Sequence, residues 1–256
     1  MTESIVLCEG YHDRTFWAGL LLSLGCTDPG IKPGILGRLP VKDIGGKSVT
    51  QGQYYYATEK DNRVRVVPCH GKDKIPDIFE DYLEKRNTRP FARLVVNVDA
   101  DTNADGTSNG TSPLTPIAIE NLVRAADANY RKTSAGRFLI DTDSTPAEIA
   151  MICWGADDPP LPGLPNQQTL ERLICAAICA VHPERSQNVE DWLKSRHLPP
   201  PLCVKEYAHS MMAGWYAEHG CDDFYRCVWD ETLVREALIR RLETSGAWAI
   251  AQSLAI

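Results

Sequence analysis

Residues 4–14 read SIVLCEGYHDR and join a short apolar run to an acid, a glycine and the start of a helical pattern. The run at residues 4–8 is almost continuously apolar, which is typical of a strand buried on both faces of a sheet. Large apolar side chains then recur at helical spacing, at Phe16, Trp17, Leu20, Leu21 and Leu24. This stretch predicts a buried strand that ends at Glu9 and a helix over residues 13–24, closed by Gly25.

A second stretch, RLVVNVDAD at residues 93–101, predicts a central strand that ends in Asp99 and Asp101. Further strands are predicted at residues 54–57, 64–68 and 148–154, and further helices at residues 77–85, 116–130 and 168–181. The alternation of strands and helices predicts an α/β fold with a parallel central sheet flanked by helices.

The triple proline at residues 199–201 marks a predicted domain boundary. Residues 1–198 would form the α/β domain. Residues 205–256 read as mostly helical, so residues 199–256 would form a helical C-terminal extension packed on that domain.

Composition limits the possible classes of protein. The 256 residues are 43% hydrophobic with a formal net charge of −7, which is typical of a soluble globular protein and not of a strongly basic nucleic-acid binder. No apolar stretch approaches the roughly 20 residues that span a bilayer, and residues 1–8 do not read as a signal peptide. The sequence therefore predicts a cytoplasmic protein without a membrane partner.

The prediction of a metal site depends on the acids at the ends of the two most clearly predicted strands. Ligands of open parallel sheets lie beyond the carboxyl ends of the strands. If the two strands are neighbours, Glu9, Asp99 and Asp101 converge there, and a divalent cation would offset their mutual repulsion. Gly10 would then allow a sharp turn into the first helix. The alternative is that these acids cap helices or lie in solvated loops.

The segment VLCEGYHDR and the later VVNVDAD resemble the Toprim signature, a Glu-Gly after the first strand and an Asp-x-Asp after a later one. Toprim domains occur in topoisomerases, bacterial-type primases and nucleases of the OLD (overcoming lysogenisation defect) family. The resemblance covers roughly residues 4–182 and is closest to small stand-alone Toprim proteins related to OLD nucleases. It implies a Rossmann-like Toprim fold that binds Mg²⁺ or Mn²⁺.

The same resemblance implies two further site residues. Glu171 would join Glu9, Asp99 and Asp101 as a metal ligand, and Lys205 would stabilise charge on a transferring phosphate. The alternatives are a helix N-terminal acid for Glu171 and an ordinary surface lysine for Lys205.

Two more acids are secondary metal candidates. Asp13 follows the Glu-Gly pair and could equally be the N-cap of the first helix. Asp105 lies in the polar run after Asp101.

Two functions remain open at this point. The first is a Mg²⁺- or Mn²⁺-dependent nuclease or other phosphoryl-transfer enzyme acting on nucleic acid, with DNA favoured over RNA, in phage defence or repair. The second is a non-catalytic Toprim scaffold that binds nucleic acid or a partner protein, or that forms a homo-oligomer, within a larger complex.

Overall fold

The computed structural model describes residues 3–27, 38–39, 53–102, 114–143, 145–158, 166–195, 204–219 and 224–256. The strands are β1 (Glu3–Cys8), β2 (Arg38–Leu39), β3 (Gln53–Ala57), β4 (Arg63–Pro68), β5 (Arg93–Asp99), β6 (Arg131–Lys132), β7 (Phe138–Ile140) and β8 (Ala147–Trp154). The helices are α1 (Tyr11–Ser23), α2 (Ile75–Glu84), α3 (Pro116–Ala126), α4 (Leu170–Val181), α5 (Pro183–Ser195), α6 (Val204–His219), α7 (Phe224–Cys227), α8 (Thr232–Thr244) and α9 (Ala247–Leu254). A short 3₁₀ turn, Lys72–Lys74, precedes α2.

The described strands form one sheet in the order β2-β3-β4-β1-β5-β8-β7-β6. Strand β1 is parallel to both of its neighbours, with Cys8 opposite Pro68 of β4 and Asn97 of β5. Glu148 N–H donates to the Ala92 carbonyl at the start of β5 and β8, and Ala100 N–H donates to the Trp154 carbonyl at their ends. Both strands therefore run from the first of these bonds to the second, so β5 and β8 are also parallel. The predicted α/β fold with a parallel central sheet is confirmed.

The edges of the sheet differ from an all-parallel arrangement. Strands β2 and β3 add antiparallel to β4, and β7 and β6 add antiparallel to β8. The β6–β7 hairpin follows directly on the stretch predicted as one helix over residues 116–130. Helix α3 ends earlier than predicted because Asp127 leaves the helical conformation and its side chain accepts the Asn129 N–H at 2.9 Å.

Helices cover both faces of the central strands. On one face, Ile5, Leu7, Val96 and Val98 belong to a buried cluster that includes residues of α2 and α3. Alternate strand residues point to the other face, so Asn97 faces away from this cluster. There the Trp17 indole of α1 donates to the Asn97 side-chain oxygen at 2.8 Å, and both residues are fully buried.

Asn97 is a polar residue inside the apolar sheet, and replacing it should lower stability. Its side-chain amide also donates to the Ile152 carbonyl at 3.4 Å, so it links β5 to both α1 and β8. We expect Asn97→Ala to reduce the free energy of unfolding by about 1–3 kcal/mol, because the buried indole N–H loses this acceptor. In urea titrations, Asn97→Ala should reduce the free energy of unfolding less in a Trp17→Phe background than in the parent chain. Equal losses in the two backgrounds would contradict coupling through this hydrogen bond.

Contacts between α-carbons divide the chain into two compact units. One unit comprises the described residues within Met1–Val98, Leu114–Cys153 and Ala249–Ile256, and it holds the sheet. The other comprises those within Asp99–Pro113 and Trp154–Trp248, where α4 packs against α5, α6 and α8. The sequence-based boundary between residues 198 and 199 stays a prediction. None of the helices in the described parts of the chain is long and apolar enough to cross a membrane.

Candidate metal-binding residues

Glu9 follows β1 directly and leads into α1 through Gly10. Gly10 is the N-cap residue of α1, and its N–H donates to the Asp13 carboxylate at 3.0 Å. Asp13 is therefore not the N-cap itself, but it stabilises the first turn from the third helical position. The chain bends at Glu9 and Gly10 between β1 and α1, as expected, but Gly10 has an extended backbone with φ of −146°, a conformation that is open to other residues.

A strained turn after β4 holds Glu9 in place. Gly71 N–H donates to the Glu9 carbonyl at 2.9 Å, and the Lys72 ammonium lies 3.9 Å from a Glu9 carboxylate oxygen. His70, between β4 and Gly71, has a positive φ of 63°, which is uncommon for a residue with a side chain. The lysine side chain is largely buried, so the ion pair with Glu9 is partly shielded from solvent.

An aromatic pair completes this end of β1. The Tyr11 hydroxyl and His70 Nδ1 are 2.9 Å apart, and their rings meet edge to face with centroids at 5.1 Å. The Arg14 guanidinium lies over the Tyr11 ring at 5.2 Å, which is within cation–π range. The sequence-based prediction missed His70, Tyr11 and Lys72 as neighbours of Glu9. The available signal was their place shortly after β1 and β4, whose carboxyl ends lie at one edge of the sheet.

Asp99 and Asp101 belong to the second unit. One Asp99 carboxylate oxygen accepts the Leu170 N–H at 2.8 Å, so Asp99 satisfies a terminal donor of α4 and lies at the positive end of its dipole. Asp101 has a positive φ of 50°, and its N–H donates to the Gln168 carbonyl at 2.9 Å. These bonds fix the backbone after β5 against the segment that leads into α4.

Glu171 lies in the first turn of α4 and is almost fully buried. The Tyr225 hydroxyl donates to its carboxylate at 3.3 Å. The next residue, Arg172, is also buried and donates to the Asp158 carbonyl at 2.9 Å, and burial lowers its pKa. Glu171 therefore occupies the helix N-terminal position that was the alternative to metal binding, and it also contacts Tyr225 from another helix.

The structure leaves the proposed set of metal ligands as a prediction. Within the residues that it describes, no group of three or more His, Cys, Asp or Glu side chains is close enough together to hold a metal ion. Asp105 and the side chain of Lys205 lie outside the described residues, although the backbone of Lys205 belongs to α6. A carboxylate offers about four acceptor positions, so the hydrogen bonds from Leu170 to Asp99 and from Tyr225 to Glu171 leave coordination by the same carboxylates chemically feasible.

Comparison with known proteins identifies the fold class alone. No protein-family model matches the chain, and no curated protein matches it significantly. The chain is similar in structure to hypothetical protein PH0156 from Pyrococcus horikoshii OT3, with a TM-score of 0.67 and 14% sequence identity over 100% of both chains. A protein of unknown function from Thermoplasma acidophilum aligns with a TM-score of 0.27 and 12% identity over 98% of this chain and 88% of that chain.

Proposed function

We propose that this chain is a Toprim-like, divalent-metal-dependent phosphoryl-transfer enzyme, a nuclease acting on nucleic acid, with DNA favoured over RNA. The single observation that supports the proposal most is the register of β1 and β5. The two strands are parallel neighbours with Cys8 opposite Asn97, and each runs directly into an acid of the predicted set, Glu9 or Asp99. Their carboxyl ends therefore share the sheet edge at which ligands of such folds bind.

In this proposal Glu9, Asp99, Asp101 and Glu171 hold Mg²⁺ or Mn²⁺, with Asp13 and Asp105 as additional acids. The bound ion would supply Lewis-acid stabilisation of charge on a phosphodiester. Lys205 would offset charge on the same phosphate.

The positive φ of Asp101 is a second supporting observation. Three described residues with side chains have positive φ, namely Asp61, His70 and Asp101. Asp61 lies in the turn before β4, whereas His70 and Asp101 follow the carboxyl ends of β4 and β5. Strained backbone of this kind clusters at functional sites, although Asp and His tolerate it better than most residues. The positive φ of Asp101 agrees with a functional role for the backbone that follows β5.

Cleavage assays with matched substitutions test the proposal. We expect the parent chain to cleave plasmid or single-stranded DNA in Mg²⁺ or Mn²⁺ but not in EDTA. Glu9→Gln and Asp99→Asn should lower the rate by about two to three orders of magnitude, the equivalent of losing several kcal/mol of charge stabilisation. Asparagine at position 99 keeps an oxygen that can accept the Leu170 N–H, so the fold should survive. Mn²⁺ binding measured by electron paramagnetic resonance should weaken in both variants.

Asp61→Asn is the control, since it removes a carboxylate at a positive-φ residue in the turn before β4, at the end of that strand away from Cys69. It should cleave at the parental rate. Cleavage that persists in Glu9→Gln and Asp99→Asn at parental rates would remove the proposed site.

A non-catalytic scaffold is the second candidate function. It is supported by the net charge of −7, which disfavours unaided binding of a polyanion and so favours a partner protein or a second copy of the chain over nucleic acid. As a scaffold, the chain would bind nucleic acid, a partner protein or a second copy of itself, and it would operate in the cytoplasm as the enzyme would. Nucleic-acid binding without cleavage in any metal would favour this function.

A further inference from the structure

A pocket between α5 and α6 lies within the second unit and uses none of the acids proposed to hold metal. Its volume is about 240 Å³, and it is lined by Glu184, Arg185, Asn188, Val189, Trp192, Ser210, Met211 and Gly214. The five residues from α5 lie on one face of the helix, because they are spaced three to four residues apart or adjacent. Gly214 lies in the opposite wall, where a Cβ would be in ordinary van der Waals contact with an Arg185 guanidinium nitrogen at 3.7 Å.

Trp192 gives the pocket an aromatic wall. Trp192 is 50% exposed as a residue, whereas Trp17, Trp154 and Trp229 are buried. An indole face is a platform on which a planar ring of any base type can stack, worth about 1–3 kcal/mol per base by alanine substitution. Arg185 places a guanidinium in the same wall, and this group recognises phosphate oxygens through paired donors.

The charges around the pocket favour a small ligand over a nucleic-acid chain. Helix α5 also carries Glu190, which pairs with Lys194 at 2.6 Å, and the exposed Asp191, which accepts from Gln187. Together with Glu184 these acids give α5 more negative than positive charge, which would repel a polyanion. A ligand with one anionic group can contact Arg185 without lying along the acidic surface.

The size of the pocket agrees with one nucleobase. Liquid water occupies about 30 Å³ per molecule, so this volume accommodates at least about eight non-hydrogen atoms. Asn188 and Ser210 supply amide and hydroxyl groups that can hydrogen-bond the polar edge of a base. We propose that the α5–α6 pocket is a mononucleotide-binding site, in which the base stacks on Trp192 and the phosphate contacts Arg185.

Titration of the full chain with dissected ligands tests this site. Using AMP and CMP as probes in calorimetry or ligand-observed NMR, we expect a dissociation constant of about 0.1 mM, ordinary for a ligand of this size. Adenosine, which lacks the phosphate, should bind about tenfold more weakly, and ribose 5-phosphate, which lacks the base, should show no measurable binding. Equal affinity for adenosine and AMP, or equal affinity for ribose 5-phosphate and AMP, would overturn the proposal.

Substitutions then locate the binding. Trp192→Ala should weaken AMP binding at least about fivefold, the lower limit of one stacked base, while Trp192→Phe should retain most of it. Arg185→Gln should reduce affinity for AMP to that for adenosine. Leu233→Ala, another exposed apolar residue, and Lys194→Gln, another cation of this unit, are the controls and should bind as the parent does.

Thermal unfolding of each variant separates loss of the site from loss of the fold, because Trp192 is half exposed and its removal should leave the melting temperature nearly unchanged. Binding that is unchanged in folded Trp192→Ala and Arg185→Gln would place the nucleotide elsewhere and overturn the proposal. The proposal would also be overturned if a single-stranded oligonucleotide bound more tightly than AMP and Trp192→Ala did not weaken that binding. These outcomes do not depend on metal or on cleavage.

Discussion

Asp158→Ala should lower the free energy of unfolding by about 3–5 kcal/mol, the loss typical of breaking a buried ion pair from one side. Asp158 forms a two-point ion pair with Arg241, whose Nε donates to one carboxylate oxygen at 2.9 Å and whose Nη2 donates to the other. The two side chains are only 20% and 15% exposed, respectively. Alanine at position 158 would leave the arginine charge largely buried without this carboxylate.

The same arginine also joins two helices of the second unit. Its guanidinium nitrogens donate to the Ala237 carbonyl at 2.8 Å and to the Ala176 carbonyl at 3.2 Å, so it links α8 to α4. The loss in Asp158→Ala should appear as a lower denaturation midpoint in guanidinium titrations. The double variant Asp158→Ala/Arg241→Met should regain most of the lost free energy of unfolding, since a well-packed apolar pair can replace a buried ion pair. That result would show that the unpaired arginine charge causes the loss in Asp158→Ala.

Lys85→Ala is the matched control for this prediction. Lys85 pairs with Asp81 on the surface of α2, where both side chains are about half exposed, and such pairs contribute about 0–1 kcal/mol. A loss in Asp158→Ala no larger than the loss in Lys85→Ala would contradict the assigned role of the Asp158–Arg241 pair.

Unfolding at alkaline pH is the second large effect that we expect. Burial raises the pKa of the Cys26 thiol from 9.0 to about 11, and the nearby Glu59 acts in the same direction. Burial also raises the pKa values of Cys8, Cys69, Cys175 and Cys179. The folded protein therefore keeps protons on these thiols at pH values where the unfolded chain has released them.

The sign of the effect follows from this difference. Below pH 9 both states hold the Cys26 proton and its contribution is fully present. Between pH 9 and 11 the unfolded state alone loses the proton, and the free energy of unfolding falls by about 1.4 kcal/mol per pH unit for this thiol. At about pH 10.5 the loss from Cys26 alone should be about 2 kcal/mol.

Urea titrations at about pH 7, 9 and 10.5 measure this loss across the range in which the two states differ in protonation. Cys26→Ala should flatten the decline above pH 9 relative to the parent, because one thiol with a raised pKa is removed. Cys153→Ala is the control, since Cys153 is the partly exposed member of the described free cysteines. An equal decline in the parent and in Cys26→Ala would contradict the assignment.

The two strands that carry the proposed site were predictable from local sequence. Residues 4–8 and 93–98 are almost continuously apolar, and burial on both faces demands this composition wherever such a strand lies in a sheet. Helix α5 was not predicted, because its sequence lacks a clear apolar pattern. Its sequence, PERSQNVEDWLKS, buries only Ser186, Val189 and Leu193, too few residues to give a clear helical period.

Individual site residues were predictable in kind but not in their contacts. An acid after a buried strand is visible in the sequence, yet the bond from Leu170 N–H to Asp99 joins residues 71 positions apart. The bond from Tyr225 to Glu171 spans 54 positions, and the His70–Tyr11 pair spans 59. Such contacts depend on which strands are neighbours and how helices pack, and no local pattern encodes them.

The sequence by itself determined the α/β class, the central strands and the acids at their ends, because apolar runs and helical spacing are set by burial of neighbouring residues. The tertiary structure alone decided the antiparallel edges of the sheet and the hydrogen bond from Leu170 N–H of α4 to Asp99. It also decided the Asp158–Arg241 ion pair across 83 positions and the pocket between α5 and α6. The physical reason is that hydrogen bonds and ion pairs between distant residues form only after the chain has brought their elements together.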